Sequence, residues 1–458
     1  MARTARARAS VSEPVGGDLL TGWGRARSSA ARVLPPPDEA GGPPMDDPRG
    51  VLARGMARSY GDAALNAGGA VVAMTARGAI RAFDTVTGVV HADAGATLDE
   101  VLRAAVPHGW FLPVTPGTRK VSLGGAIAAD VHGKNHPAAG SFRDHLRGFT
   151  LLLADGSRRW VTPDDTDVFG ATLGGMGLTG IVTDAELTLR RISSTWMDVV
   201  TRTTRDLDDT IATLEAATDP YRIATLDLSR SGPRMGRAVV ETGDHAAPAA
   251  LDGAPDGLAG YDPAAALTVP DVVPSGLLNR LSARALTGLL LARAPKRPRR
   301  HLAGLSSFFH PLDAIDHWNR VYGPRGFVQY QFAVPAGREG ALRRIADRLV
   351  SARCPTFVVV LKRLGPGAGL LSFPLNGWTL AADIPAGVPG LARLLDACDD
   401  VVCEAGGRVY LAKDGRLRAE RMPVMYPELD RWRGIRDSLD PTGRWRSDLG
   451  RRLGLCSS

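Results

Sequence analysis

The sequence predicts an α+β protein of two or three folding units. Its 458 residues are enough for two or three domains at about 100–200 residues each. A composition of 44% hydrophobic and 23% charged residues is typical of a globular protein and excludes a largely disordered chain. Short apolar stretches alternate with glycine-bearing loops and few helices, which favours α+β over a doubly wound parallel sheet.

The predicted elements are most regular in the first third of the chain. Residues 89–94 are predicted to form a strand, residues 98–108 a helix, and residues 117–140 a glycine-rich loop region. A strand at 151–153 turns back through Ala-Asp-Gly-Ser into residues 159–161. This pattern predicts a β-hairpin.

Three other segments are expected to lie outside regular elements. Residues 34–49 contain six prolines, so we expect a loop where a helix would otherwise pack. Residues 242–263 are rich in Ala, Gly, Pro and Asp and are expected to be an exposed linker. Residues 1–10 are arginine-rich but contain no apolar stretch, so no secretory signal is expected.

Charge and cysteine content exclude several function classes. The net charge is +8, but basic and acidic residues are interspersed, so nucleic acid is not an expected partner. The four cysteines lack paired spacing, so we expect inert thiols and no metal site. No apolar run reaches the roughly 18 residues of a membrane-spanning helix, so a soluble or peripheral protein is expected. Of 56 basic residues only five are lysines, which makes each lysine informative.

One segment in the second half of the chain is amphipathic and basic. Leucines recur at helical spacing between residues 277 and 290, and the run Lys-Arg-Pro-Arg-Arg follows at 296–300. Two interpretations stay open. The segment is either a surface helix packed on the core, followed by a solvated turn, or a mobile lid or membrane-surface contact.

A glycine motif at residues 175–180 does not have the context that its chemistry needs. GMGLTG satisfies G-x-G-x-x-G, which binds dinucleotides when a strand precedes it and a helix follows. Here a predicted helix end at 169–173 precedes the motif, and an alternating strand at 181–189 follows it. We therefore reject a Rossmann site.

Two glycine-bearing loops about sixty residues apart are the most informative feature. The first reads ARGMARSYGD from residue 53, and the second runs from Pro116-Gly117-Thr118 through Ser122-Leu123-Gly124-Gly125 to His132-Gly133-Lys134-Asn135. Small residues at this density let backbone N–H groups approach an anion such as a pyrophosphate. Each loop taken alone fits a tight turn equally well, but the pair is more specific.

Seven motifs in this order resemble a known flavoprotein family. They are RGMARSYGDAALN, PGTRKVSLGGAIAADVHGKNHPAAGSF, GGMGLTGIV, FFHPLD, GFVQYQF, LSFPLNGW and YLAKD. The chain is similar to the vanillyl-alcohol oxidase/p-cresol methylhydroxylase superfamily and, within it, most closely resembles the family of decaprenylphosphoryl-β-D-ribose 2′-oxidases. The resemblance extends from about residue 21 to about residue 453.

The resemblance implies a two-domain organisation. We expect a PCMH-type FAD-binding domain at 15–195 and an antiparallel-sheet substrate domain at 196–405, with 264–300 as a candidate mobile lid. Residues 406–458 are expected to return to the FAD domain. The cofactor contacts implied by the resemblance are Ala53, Arg54, Gly55, Met56, Ala57, Arg58, Ser59, Tyr60, Gly61, Asp62, Ala63, Gly117, Ser122, Leu123, Gly124, Gly125, Ala129, Asp130, Val131, His132, Val182 and Tyr410.

Three departures from the family pattern bear on the expected site. Arg58 stands where many relatives carry a histidine bonded to the flavin, so we expect non-covalent FAD, because a guanidinium is always protonated. Ala382 is expected to take the place of an active-site cysteine that follows the Gly-Trp motif in mycobacterial relatives. Phe309 stands where relatives often carry Tyr.

The substrate is expected to contact the middle of the chain and the last motif. Alternation along 327–332 puts Gln329 and Gln331 on one strand face, where two amides can bind sugar hydroxyls. The resemblance adds Lys134, Lys362 and Lys413, cations that suit a phosphate-bearing substrate. Three residues compete for the role of catalytic base: Lys413, Tyr60 and His132.

The resemblance implies oxidation of the ribose C2′ hydroxyl of a polyprenyl-phosphoryl-β-D-ribose, the first half of epimerisation to an arabinose donor for cell-wall arabinan. A short-chain-type keto-reductase, a quinone-like electron acceptor and a peripheral contact with either face of the plasma membrane are implied as well. Two alternatives stay open. One is an FAD-dependent oxidase of a free sugar, alditol or aldonolactone, and the other is a non-catalytic flavin-binding or polyprenyl-phosphate-binding protein.

Overall fold

The computed structural model describes residues 17–37, 47–251, 261 and 263–456. The arginine-rich start, residues 38–46 of the proline-rich segment and residues 252–260 and 262 of the expected linker lie outside this range. What the sequence predicts for those residues therefore stays a prediction.

The first 191 residues contain two sheets and a short strand pair in their described part. A four-stranded sheet has the order β1-β2-β4-β3, and a five-stranded antiparallel sheet has the order β5-β6-β10-β8-β9. The strands are β1 (Asp18–Thr21), β2 (Ser28–Leu34), β3 (Val51–Arg54), β4 (Ala70–Ala73), β5 (Ile80–Asp84), β6 (Val89–Asp93), β7 (Trp110–Phe111), β8 (Leu146–Leu152), β9 (Arg158–Val161), β10 (Ile181–Thr188) and β11 (Arg190–Arg191).

An eight-stranded antiparallel sheet dominates the described residues from 196 onward. Its order is β16-β12-β14-β13-β19-β20-β18-β21, so its strands come from residues far apart in the sequence. Its strands and those of a short parallel pair, β15 with β17, are β12 (Trp196–Thr203), β13 (Tyr221–Leu226), β14 (Ala238–His245), β15 (Leu267–Thr268), β16 (Arg299–Gly304), β17 (Ile315–Asp316), β18 (Phe327–Pro335), β19 (Phe357–Leu364), β20 (Gly377–Pro385) and β21 (Arg408–Val409).

Helices cover the sheets and are mostly short. The α-helices are α1 (Leu98–Ala105), α2 (Leu123–Ala128), α3 (His136–Ala139), α4 (Thr166–Thr172), α5 (Leu207–Ala216), α6 (Arg280–Arg293), α7 (Leu305–Phe309), α8 (Glu339–Ser351), α9 (Leu391–Glu404), α10 (Met422–Met425), α11 (Leu429–Leu439) and α12 (Asp448–Leu453). The α+β prediction is confirmed. In the part of the chain that the structure describes, no helix is long and apolar enough to cross a bilayer.

Local sequence explains most of the boundaries. Helix α1 begins with a capping box in which Thr97 and Glu100 satisfy each other's backbone N–H groups. It ends at Ala105, three residues before the predicted end, and continues as a 3₁₀ turn that contains Pro107. The predicted hairpin is present, since β8 pairs antiparallel with β9.

Three expectations about irregular segments need correction. Residues 242–245 of the expected linker belong to strand β14. The second glycine-bearing stretch is not loop throughout, because the Ser122 side chain accepts the Gly125 N–H and caps helix α2 inside it. The basic run at 296–300 is not a turn throughout either, since Arg299 and Arg300 begin β16, which pairs with β12.

The C-terminal segment packs against the first glycine-bearing loop and its strand. Val51 donates its N–H to the Arg444 carbonyl, and Arg446 donates to the Val51 carbonyl. The Arg452 guanidinium binds the Asp62 carboxylate at 2.7 Å. These contacts bring the last part of the chain to the region where the two glycine-bearing loops lie, as the domain prediction expects; the exact domain boundaries stay a prediction.

Candidate active site

A cavity of about 420 Å³ lies between the glycine-bearing loops and the eight-stranded sheet. One wall comes from the two loops, and the other comes from β13, β14, β18, β19, β20 and the segment that follows β21. The predicted site residues that line it are Ala53, Gly55, Met56, Ala57, Arg58, Ser59, Tyr60, Ala63, Gly117, Ser122, Gly124, Gly125, Ala129, Val131, His132, Lys134, Val182, Gln329, Gln331, Lys362, Tyr410 and Lys413. The sequence motifs therefore converge on one cavity.

The loop wall is built from backbone and small side chains. A Cβ on Gly55 would stand 2.0 Å from Oγ of Ser122, so the two loops approach each other more closely than a larger residue allows. Ala57 has a φ of +54°, a conformation that is strained for a residue with a Cβ. Arg58 lies over the Trp23 ring at 3.7 Å and donates to the Lys120 carbonyl.

Five predicted cofactor contacts do not line the cavity. Arg54 donates to two backbone carbonyls, and Asp62 binds Arg452. Gly61 packs so tightly that a Cβ would meet the Asp414 carbonyl oxygen at 1.8 Å. Leu123 is buried, and buried Asp130 accepts hydrogen bonds from two serine hydroxyls. These five residues therefore contact the protein around the loops rather than the cavity.

The GMGLTG loop was rejected as a Rossmann motif, and the structure agrees about its context. Helix α4 precedes the loop and strand β10 follows it. Met176, Gly177 and Gly180 nevertheless line the cavity. Sequence analysis counted GGMGLTGIV among the family motifs but named only Val182 from it as a cofactor contact.

The sheet wall carries polar side chains at alternate positions of β18 and β20. Gln329 and Gln331 line the cavity, whereas buried Tyr330 between them donates its hydroxyl to Asp399 on the opposite face. Nε2 of Gln331 lies 3.2 Å from Thr379 Oγ1. The predicted alternation along this strand is confirmed.

The same alternation corrects the expectation for Ala382. This residue is fully buried and does not line the cavity. Ala381, which pairs with Gln331 across the two strands, lines it instead. An active-site side chain after the Gly-Trp motif therefore corresponds to position 381, and Thr379 is a cavity residue that sequence reasoning missed.

Three of the five lysines line this cavity. Burial lowers the pKa of Lys134 and of Lys362 to about 8 each, and Lys362 lies close enough to feel the charge of Lys134. Burial lowers the pKa of Lys413 to about 7. In the described part of the chain, none of the three forms an ion pair within 4.0 Å. Glu241, which sequence reasoning missed, also lines the cavity and raises the pKa of Lys134.

The three candidate bases have different electrostatic environments. Burial and the nearby Lys362 hold the pKa of His132 well below its usual value, so its ring is neutral. Nε2 of His132 lies 3.2 Å from the Gln331 amide nitrogen, and Nδ1 is buried without a partner among the described residues. Burial raises the pKa of Tyr60 well above its usual value. Lys413, whose ammonium lies 3.7 Å from the Tyr60 ring centre, has the pKa nearest neutrality.

Family models match both ends of the chain. A model described as FAD binding domain matches residues 46–162, which include both glycine-bearing loops. A model described as D-arabinono-1,4-lactone oxidase matches residues 385–453, which include Tyr410 and Lys413.

Three curated relatives match different shares of the chain. Decaprenylphosphoryl-β-D-ribose oxidase of Mycolicibacterium smegmatis is 40% identical over 458 residues, covering 95% of this chain and 97% of the relative. A Streptomyces coelicolor protein described as an uncharacterized protein in the mprA 5′ region is 41% identical over 370 residues, 78% of this chain and 100% of the relative. A D-lactate dehydrogenase of Anaerostipes hadrus is 28% identical over 131 residues, 27% of each chain.

Proposed function

The chain belongs to the family of decaprenylphosphoryl-β-D-ribose oxidases, and we propose that it oxidises the C2′ hydroxyl of a polyprenyl-phosphoryl-β-D-ribose to the 2′-keto sugar. It has an FAD-binding domain and is an FAD-dependent oxidoreductase. The keto sugar would be the first half of an epimerisation to an arabinose donor for cell-wall arabinan.

The residues present fit FAD. Gly55 approaches Ser122 so closely that a Cβ would overlap its Oγ, and backbone of this kind, without large side chains, can come close to a pyrophosphate. The buried, unpartnered Nδ1 of His132 is a polar atom that a bound cofactor can satisfy. Arg58, which lies over Trp23, is not a nucleophile, so we propose that FAD is held without a covalent bond. Bound FAD supplies the acceptor for the hydride that leaves C2′.

The observation that carries the proposed substrate is the clustering of lysines and amides around one cavity. Lys134, Lys362 and Lys413 face a cavity that contains Gln329 and Gln331. Buried cations attract phosphate, and paired amides bind sugar hydroxyls. An uncharged sugar would supply no countercharge for Lys362, whose pKa no acidic group among the described residues raises, and an unpaired buried charge costs free energy.

We propose Lys413 as the base that takes the proton of the C2′ hydroxyl. A general base works best when its pKa is close to the working pH, and the pKa of Lys413 is about 7. Tyr60 remains a protonated phenol because burial raises its pKa. Burial lowers the pKa of His132, which makes its ring a weak base, and its Nε2 accepts a hydrogen bond from the Gln331 amide nitrogen.

The lipid part of the substrate points to a membrane contact, which we propose for helix α6. Leu281 and Leu286 are 79% and 53% exposed, and of the helix's residues only Ala283 is buried. The stretch 277–300 contains no acidic residue. An apolar helix face next to cations matches the chemistry of an anionic lipid surface.

Helix α6 also lies behind the cavity. Ala283 packs in a cluster with Phe327 and Phe357, and Tyr60 and Val358 of the cavity wall pack against the same cluster. A substrate with a lipid chain can therefore have its sugar in the cavity and its chain near α6. A quinone-like acceptor and a short-chain-type keto-reductase partner remain proposals that rest on the proposed reaction.

One observation favours a second candidate, oxidation of an aldonolactone or free sugar. The D-arabinono-1,4-lactone oxidase model matches residues 385–453, which contain the proposed base. The exposed leucines of α6 argue against a small polar substrate, since such a substrate gives them no partner.

Anaerobic flavin reduction with a panel of substrates tests the proposal. The protein is mixed with phosphoryl riboses of increasing lipid length, free ribose, alditols and aldonolactones, and the loss of flavin absorbance is followed. We expect reduction by the phosphoryl riboses only. Reduction by a free sugar or lactone alone would select the second candidate, and no bleaching by any member would select a non-catalytic binding protein.

A further inference from the structure

A buried carboxyl group lies beneath the sheet wall of the cavity. Asp383 is on β20, fully buried, and on the same strand face as Thr379 and Ala381, which line the cavity. It pairs across the strands with Gln329. No step proposed so far uses this residue, and the sequence signal for it is an acid inside an otherwise apolar strand.

The hydrogen bonds of Asp383 are incomplete. Its Oδ1 accepts the Gln329 side-chain N–H at 2.5 Å, and its Oδ2 is buried without a partner among the described residues. A buried carboxylate with one free oxygen is costly unless a positive charge offsets it. The cation that interacts with it is Lys413.

The charges around Lys413 are otherwise unfavourable to an ammonium ion. Lys362 on β19 lowers its pKa, and neutral His132 faces it from the second glycine-bearing stretch. Tyr60 contributes a protonated phenol. Of the groups that act on Lys413, Asp383 raises its pKa and so favours the ammonium.

The pKa of Asp383 itself depends on its burial and on the groups that face it. Burial raises its pKa to about 7, and the Gln329 hydrogen bond and Lys413 oppose this rise. Burial and, after it, the charge of Asp383 raise the pKa values of Tyr322, from the segment before β18, and of Tyr60. Both phenols therefore stay protonated, and Lys413 is the cation available to Asp383.

We propose that Asp383 is a positioning residue that supplies the countercharge for the ammonium formed when Lys413 takes the proton of the substrate hydroxyl. The proton leaves the hydroxyl oxygen for the lone pair of Lys413 Nζ, and the nitrogen gains one positive charge. The Asp383 carboxylate stabilises that positive charge. Its hydrogen bond to Gln329 also fixes the side-chain amide that faces the sugar. This inference rests on the proposed function for the identity of the hydroxyl, but the electrostatic pair does not.

The test measures the titration of Lys413 directly. With five lysines in the chain, carbon-13-labelled lysine side chains of the FAD-loaded protein give few NMR signals, and Lys413→Met assigns one of them. In the wild type we expect two coupled titration steps, because Asp383 titrates in the same range. In Asp383→Asn we expect one step with its midpoint lower by about 1–3 pH units.

Flavin reduction gives the second readout. If neutral Lys413 is the base, the rate rises with pH through the Lys413 midpoint, and in Asp383→Asn this rise moves to lower pH while the plateau falls, because the base is weaker. Asp399→Asn is the matched control, since Asp399 is buried but binds Arg416 and Tyr330. We expect it to lower the melting temperature and leave both midpoints in place.

Each outcome bears on the proposal. An Asp383→Asn midpoint within about 0.3 pH unit of wild type would overturn it. If Asp383→Asn does not fold, the wild-type titration decides, and a single uncoupled Lys413 step there contradicts the pair. If the wild type shows coupled steps but no phosphoryl ribose reduces the flavin, the proposed function fails while the Asp383–Lys413 pair stands.

Discussion

The two walls of the cavity are built in different ways. The loop wall consists of contiguous backbone, with small residues such as Gly55 and Ala57 held in close or strained positions. The sheet wall consists of side chains from strands far apart in sequence, such as Gln331, Lys362 and Lys413. Substitutions in the loop wall should therefore affect cofactor retention, and substitutions in the sheet wall should affect the rate of chemistry.

The first prediction concerns how the loop wall holds FAD, and its outcome is all or none. We expect acid precipitation to release all of the flavin into the supernatant, because Arg58 has no nucleophilic atom to bond with it. Absorbance of the supernatant and pellet is the measurement. Flavin that remains with the pellet would show a covalent bond and contradict the expectation.

The sheet wall is tested most strongly by Lys413→Ala. We expect substrate-dependent flavin reduction to fall by about 10²–10³-fold while FAD remains bound, because a positioned group that stabilises developing charge has this effect. Stopped-flow absorbance and the flavin-to-protein ratio are the measurements. A variant within about threefold of wild type would refute the assignment. A matching loss in Tyr60→Phe, with Lys413→Ala unaffected, would move the base to Tyr60.

The corresponding variant of the loop wall is Gly55→Val. The new side chain would overlap Oγ of Ser122, displace it from the Gly125 N–H and separate the two loops. Overpacking of this kind costs about 1–3 kcal/mol, so we expect FAD affinity to fall by about tenfold or more while the FAD-saturated variant keeps its rate.

Gly434→Ala is the control for this substitution. A Cβ on Gly434, in α11, meets nothing within 4 Å, so we expect unchanged FAD affinity and a slightly higher melting temperature, since alanine favours a helix. Equal FAD loss in both variants would indicate a general effect on folding, and a rate loss in saturated Gly55→Val would contradict the division between the walls.

The same difference explains what could be predicted from sequence. Each loop of the loop wall is one continuous stretch of sequence, so its glycine spacing located it. The sheet wall was located at Gln329 and Gln331, where alternation along one strand is visible, and at Lys362, Tyr410 and Lys413, which the family resemblance implied. Thr379, Ala381 and Asp383 were missed because their role depends on which strand pairs with β18. Pairing between strands far apart in the chain is a tertiary property that strand periodicity does not specify.

Helix α6 shows a second limit. Its leucine spacing predicted a helix but left its apolar face without a partner, and the structure leaves leucines such as Leu281 exposed. Spacing gives the face of a helix, whereas burial depends on what packs against it. Its basic run also contributes to β16, so deletion of 277–300 would remove Arg299 and Arg300, the first two residues of a paired strand. Substitutions are the sharper test.

The smallest expected effect belongs to α6 and concerns the lipid rather than the sugar. In Leu281→Gln/Leu286→Gln/Leu289→Gln we expect binding to anionic vesicles to weaken by about threefold to tenfold, because the helix loses apolar surface that can enter the lipid boundary. Activity on a long-chain phosphoryl ribose should fall, and activity on a short-chain analogue should not. Vesicle co-sedimentation and flavin reduction with both substrates are the measurements.

A matched exposed leucine separates this effect from a general loss of surface hydrophobicity. Leu19 on β1 is 72% exposed, so Leu19→Gln should leave vesicle binding and both activities unchanged. Because α6 packs through Ala283 against the cluster behind Tyr60 and Val358, a destabilised helix would disturb the cavity for every substrate. Equal losses on the long-chain and short-chain substrates would therefore identify α6 as a structural part of the sheet wall, whereas a loss confined to the long chain would make it the lipid contact.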